Sequence, residues 1–434
     1  MKRLIVILLF FCSGVVMAEK KNLSGIISDE KTGETLIGAT VCVFDNQTKG
    51  TVTNANGFFT LPDMEQDSIC LKFSFIGYET LVRCYDLKNK RDHFLEVRLL
   101  PSKVELEQVT VVAPEVDRIG DRDVEISEHR LSPNEIKLIP SARKDVFRSM
   151  RFMPGIQPTE PLSPLVSVRG GDPGENLIML DGVTMYNPYH FLSSSGIFNM
   201  QTVKNVDVLA GGFGAEFGGR NSSVINILTK DGSRDGLHGE ITPTTSETSV
   251  FLEFPVGKKS TMMVAGRAHY DLMGNFILYS RNFFFDVNLS FTTRLNQTNW
   301  LTCKIFGSQD KTNLDFASVY KYIGNSVNME EYFNDMSLRW IHHWKSNIAT
   351  VIWKSALSSK LFLKAQTFVS MHDGSNYSEM SMRINNMVFN TSSNFISSVR
   401  DLSAIVNFEY KPFSWGELKA GMTHKIYFFL IIRS

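Results

Sequence analysis

The chain opens on short runs in which apolar and polar positions alternate: residues 23–28, 39–44, 50–53, 58–61, 69–75, 80–84 and 94–99. Thr32-Gly33, Asp45-Asn46, residues 54–57, Pro62-Asp63 and Gly77 separate them. A period of two broken by turn residues predicts strands, and seven of them in so short a stretch predict a small β-sandwich. Next comes a β-prone run at 104–113, closed by Pro114 and followed by the charged stretch 115–130, which predicts an extended linker. Helix starts follow at Ser132-Pro133-Asn134-Glu135 and at 141–145, the second leading into Val146, Phe147, Met150 and Met153 on one face before Pro154-Gly155. Between 166 and 230, three apolar runs each end in a glycine cluster, the pattern of strands joined by turns that need φ > 0. That predicts a compact α/β unit.

From residue 237 the texture changes to longer alternating runs with aromatic tips: 248–254, 261–270, 285–294, 300–307, 336–344, 349–357, 361–371, 398–410 and 417–427. Such runs suit a sheet with one lipid-facing side and aromatic girdles. Short turns such as Asn296-Gln297 alternate with longer insertions such as 310–331, as tight turns on one side of a membrane and long loops on the other would. Past the amino terminus no uninterrupted apolar stretch is long enough for a membrane helix, so any crossing is made by strands.

Composition excludes several function classes. Lys plus Arg and Asp plus Glu both number 45, so no global field favours nucleic acid. The glycine clusters form neither a G-x-x-x-x-G-K-[ST] loop nor a G-x-G-x-x-G turn between strand and helix. No zinc-ligand pattern accompanies His93, and a hydrolase lacks its catalytic residues; no cofactor and no metal are expected. Lys2 and Arg3 before the apolar run 4–11, with Val16-Met17-Ala18 after it, read as a secretory signal cleaved after Ala18. A lipid anchor on Cys12 fits poorly behind the bulky Phe11. Cys42, Cys70 and Cys84 are either small buried hydrophobes or, in an oxidising compartment, hold one disulfide between two of them.

Two resemblances go further. The pattern Gly25-x-Ile27-x-Asp29, Thr32-Gly33-Glu34, Gly57-x-Phe59-x-Leu61 and Phe75-Ile76-Gly77-Tyr78 resembles the carboxypeptidase-regulatory-like domain, an accessory module in which Gly57, Gly77 and Tyr78 read as turn and packing positions. Four ordered motifs resemble the plug domain of TonB-dependent outer-membrane receptors. They are Val168-Arg169-Gly170-Gly171, Leu180-Asp181-Gly182-Val183, Met185-Tyr186-Asn187-Pro188-Tyr189-His190-Phe191, and Gly211-Gly212 through Gly218-Gly219-Arg220. The run Leu106-Glu107-Gln108-Val109-Thr110-Val111-Val112-Ala113 resembles the TonB box offered to a periplasmic coupling protein; an ordinary last strand of the sandwich is the other reading. In such receptors the arginine matching Arg169 pairs with barrel carboxylates, and a second basic residue commonly sits where this chain has Ala210. Arg169 is therefore expected to be exposed or weakly held here.

The implied fold is mainly β: signal peptide 1–18, β-sandwich 19–101, linker 102–130, α/β plug domain 131–232, and from 233 to 434 the first part of an antiparallel outer-membrane β-barrel. About 22 strands at about 9–11 residues per crossing exceed what 237–434 can supply, so about ten strands and an incomplete, truncated barrel are expected. The implied function is energised uptake of a scarce small nutrient at the outer membrane, with a TonB-type coupling protein, outer-membrane lipid and a small ligand such as a metal chelate as partners. The alternative is a non-transporting periplasmic or surface binding module.

Overall fold

The computed structural model describes residues 21–64, 66–88, 92–102, 128–131, 145–160, 163–190, 195–270, 281–315, 336–384, 387–413 and 416–433. The expected signal peptide, the run Leu106 to Ala113 and the helix start at Ser132 lie outside the described residues. The chain forms two compact units, one built on the N-terminal domain, the other on the plug and most of the C-terminal sheet.

The first domain has the seven expected strands: β1 (Lys21–Asp29), β2 (Thr40–Val43), β3 (Asn46–Val52), β4 (Phe58–Met64), β5 (Ser68–Ser74), β6 (Leu81–Asp86) and β7 (Asp92–Leu99). They form two sheets, ordered β4-β1-β7 and β3-β2-β5-β6, with β1 and β7 parallel. The alternating apolar positions meet between them, burying Leu23, Ile27, Val41, Phe59, Leu71, Phe73 and Val97. Gly57 and Gly77 take positive φ, as their turns require. The Tyr78 hydroxyl donates to Asp29 Oδ2 at 2.7 Å, while Asp29 Oδ1 accepts from the backbone of Lys31 and Thr32, so one carboxylate fixes both a turn and the tyrosine. Burial, reinforced by Asp29, pushes the Tyr78 hydroxyl well above its ordinary range. Of the cysteines, Cys70 and Cys84 face each other on β5 and β6 and form a disulfide; Cys42 is a buried free thiol, raised by burial.

The plug is a mixed sheet with a short helix. Its elements are β8 (Glu128–Leu131), α1 (Val146–Met150), β9 (Ile156–Pro158), β10 (Val166–Val168), β11 (Asn176–Leu180), β12 (Val183–Thr184), β13 (Val203–Leu209) and β14 (Ser223–Thr229). The main sheet runs β12-β11-β14-β13-β8, with β11 and β14 parallel; β9 and β10 pair separately. Asp145 caps α1 by accepting from Arg148 N. The helix stops at Met150, earlier than the apolar spacing suggests, yet Met153 is still buried with Phe147, Met150 and Ile178.

Nine strands follow: β15 (His238–Pro243), β16 (Glu247–Val256), β17 (Ser260–His269), β18 (Arg281–Arg294), β19 (Asn299–Asp315), β20 (Met336–Ala356), β21 (Leu361–Ile384), β22 (Met387–Phe413) and β23 (Gly416–Arg433). Each pairs with its sequence neighbours in one antiparallel sheet. The structure corrects the sequence reading in three places, the first being the insertion expected at 310–331, whose residues 310–315 instead continue β19 because they stay in register with β20. The runs 336–344 and 349–357 are one strand, because residues 345–348 continue in register opposite Phe306, Gly307, Ser308 and Gln309 without a turn. His238–Pro243 is a strand that the alternation did not reveal, paired along β16. Among the described residues the sheet is open, with β15 and β23 at its edges.

Candidate functional site

The two faces of this sheet differ in chemistry. On one face lie Val250, Leu252, Phe283, Phe285, Val287, Ile305 and Val351, all exposed. The other carries Asp286, Asn288, Ser290, Thr302, Lys304, Asp310, Ser346, Gln366, Ser370 and Asp401, all buried. A water-soluble sheet does the reverse, placing its polar face outward. The polar face is covered by the plug: Phe306, Ile348 and Phe368 join the plug core, and the polar groups between them bind plug residues.

Three anchor points stand out, each built from a plug turn and a strand. In the first, Asp181 follows β11 in a left-handed conformation (φ 52°) with Gly182 (φ 84°). Its carboxylate accepts from Thr229 N at 3.0 Å, Thr229 Oγ1 at 2.6 Å and Lys304 Nζ of β19 at 3.0 Å. Its carbonyl accepts from Gln366 Nε2 of β21 at 3.0 Å, and Gly182 N donates to Asn226 Oδ1 at 3.1 Å. Lys304 also lies 3.3 Å from Asp231. Burial alone would raise the Asp231 carboxyl, but Lys304, with help from Lys204 and Lys354, holds it well below the usual range.

The second anchor is Tyr186, whose hydroxyl donates to Asp401 Oδ2 of β22 at 3.0 Å. Burial and this carboxylate push the phenol above its ordinary value. Asn187 and Pro188 shape the same segment: Asn187 Oδ1 accepts from Tyr189 N at 3.4 Å, and the Pro188 carbonyl accepts from Ile197 N at 3.1 Å. The third anchor is His190, packed between Asp286 of β18 and Asp310 of β19.

The other motif residues serve the plug itself. Arg169 is exposed and takes φ 50° in the turn after β10, with Gly170 at φ 80°. Arg169 N donates to Gly155 O at 2.8 Å, and a side chain on Gly171 would collide with Ser222. The guanidinium passes over Gly211: a Cβ there would lie 3.0 Å from Arg169 Nη1. Gly211 and Gly212 both take positive φ, and Ala210 is buried. Gly218, Gly219 and Arg220 are exposed, and a Cβ would meet nothing at either glycine. Sequence reasoning named Asp181 and Tyr186 but not the strand residues Lys304, Gln366 and Asp401 that the structure places against them, and gave His190 no role.

The geometry is that of an α/β plug fastened to the polar face of an antiparallel sheet whose uncovered face is apolar. Comparison with known proteins agrees: residues 23–111 match the family described as CarboxypepD_reg-like domain, and residues 122–224 match the TonB-dependent Receptor Plug Domain. The chain thus carries a carboxypeptidase-regulatory-like domain followed by a plug domain of the TonB-dependent receptor type. The TonB-dependent transporter Oar of Myxococcus xanthus is 23% identical over 241 residues, 53% of this chain and 22% of that protein. Among solved structures, the ferric-catecholate import receptor Fiu of Escherichia coli K12 is 13% identical, covering 70% of this chain and 47% of its own, with a TM-score of 0.48. The siderophore receptor PirA of Pseudomonas aeruginosa is likewise 13% identical, covering 70% and 57%, with a TM-score of 0.41. The chain therefore spans less than two thirds of each.

Proposed function

We propose that this chain works in the outer membrane as the plugged part of an energised uptake receptor, with the apolar face of its sheet toward lipid and its plug covering the polar face. The observation that carries the reading is the reversed polarity of the sheet: apolar side chains on the uncovered face, and charged and hydroxyl side chains beneath the plug. Lipid removes the hydrophobic drive to fold such a face inward, while backbone groups must still be paired. Leu106 to Ala113 would supply the strand that a periplasmic TonB-type protein captures by β-augmentation, where main-chain hydrogen bonds give affinity. The cargo would be a scarce small nutrient, a metal chelate being the first class to test. No step needs covalent chemistry.

Fractionation of cells expressing the full chain tests the membrane assignment. The expected result is a band in the outer-membrane fraction whose mobility changes on heating, as sheet structure resists detergent until boiled. A periplasmic, heat-insensitive band would overturn it in favour of a soluble binding module.

A further inference from the structure

His190 is buried to 1% exposure. Its Nδ1 lies 2.6 Å from Asp310 Oδ1 and its Nε2 3.2 Å from Asp286 Oδ2. A neutral imidazole has one N–H and can donate to one of these carboxylates; only the imidazolium donates to both. The ring stacks on Phe284 at 3.5 Å and 12°, and Phe284 stacks in turn on His269. Arg267 of β17 donates from Nε and Nη2 to Asp286 Oδ2 at 2.8 and 2.5 Å, and from Nη2 to the plug carbonyl of Gly196 at 2.8 Å. His190 and Arg267 then face Asp286 and Asp310 in a site where all four side chains are buried or nearly so.

The same geometry holds a second state. Arg267 Nη2 lies 3.0 Å from His190 Nε2, so an imidazole that has lost its Nε2 proton becomes an acceptor for the guanidinium. Asp286 then loses one donor, and a buried negative charge is left unbalanced, which is costly at low dielectric. The neighbouring ionisable groups are Asp145, which accepts from Gly196 N at 2.5 Å, and Glu247 of β16, which acts on Arg267.

We propose that His190 is a proton-dependent latch fastening the plug segment that contains it to β17, β18 and β19: protonated it grips both carboxylates, and deprotonated it loosens the plug. Burial pulls its basicity down, but Asp286 and Asp310 outweigh burial and raise it above the ordinary value. A raised native value means the hold is fully present below the unfolded value of about 6.5 and is lost as pH rises through the native one.

The test uses the full chain in detergent micelles with isotope-labelled histidine. The resonance that disappears in His190→Asn should titrate at higher pH than that of a free histidine. In pulse proteolysis against urea, the wild-type plug should be cleaved at a midpoint on the order of 1 M lower at pH 9 than at pH 6. His190→Asn should show no such difference. If that variant does not fold, Asp310→Asn decides: it should move the His190 titration to lower pH than in the wild type. A neutral ring at pH 7 in the wild type, or equal pH dependence in wild type and variants, overturns the latch.

Discussion

At the residue scale, the plug motif divides into positions that shape turns and positions that hold the plug in place. Arg169 and Asp181 both take left-handed backbone, which a non-glycine residue adopts at a cost, least so for Asp or Asn. Arg169 is exposed, so Arg169→Gln should change plug stability little. Asp181 is buried and carries two bonds from Thr229 and one from Lys304. Asp181→Ala leaves both Thr229 donors without their acceptor, removes one of the two carboxylates on Lys304 and loses the residue type that tolerates the left-handed turn, and should lower plug stability by about 3 kcal/mol. Asp181→Asn keeps the turn and an acceptor for Thr229 N, while Lys304 keeps Asp231, so a loss of about 1–2 kcal/mol is expected. Urea unfolding of the three chains side by side checks the order; equal losses for the alanine and asparagine variants would mean that the charge pair, not the turn, sets the cost. The glycine-bracketed Asp181 was legible in the sequence because a turn is local. Lys304 was not, since a polar residue every second position is what any sheet with a polar face shows. Only the register of β19 against a plug more than a hundred residues earlier selects it.

At the element scale, legibility followed how local each signal is. All seven sandwich strands were read because turn residues separate them, whereas β20 was split in two because residues 345–348 (Lys-Ser-Asn-Ile) look like a break. Pairing with β19 on one side overrides that local preference. The linker poses the sharpest question. The matched carboxypeptidase-regulatory-like region runs to residue 111 and so takes in most of Leu106 to Ala113. If the run is the closing strand of the sandwich, Val109→Pro removes a ladder donor and should lower the melting temperature of a fragment spanning residues 19–114. If it is the coupling strand, that fragment melts unchanged, and in the full chain Val109→Pro weakens capture by the periplasmic domain of the coupling protein while Val109→Thr does not. Calorimetry on the fragment and a pull-down on the full chain separate the two roles. We expect the second outcome, and equal effects of proline and threonine on capture would sink it.

At the scale of the whole molecule, the fold class was readable because domain order is written in successive textures: alternation with frequent turns, glycine-closed runs, then long alternation with aromatic tips. The sidedness of the long strands is what joins structure to the proposed membrane role, and neighbouring residues of β19 put it to a direct test. Lys304 points under the plug to Asp181, and Ile305 points the other way, 53% exposed. If that outer face meets lipid, Ile305→Arg places a charge in hydrocarbon at a cost of about 2–4 kcal/mol near the midplane, while Ile305→Leu costs almost nothing. In water the arginine would instead be harmless, even favourable, on an exposed strand position. Insertion into preformed liposomes, read by protection from added protease, should therefore fall for Ile305→Arg and stay at the wild-type level for Ile305→Leu. Solubility without lipid should move in the opposite direction, arginine raising it. An arginine variant that inserts as well as wild type would place the outer face away from the hydrocarbon and remove the main support for a membrane-spanning sheet.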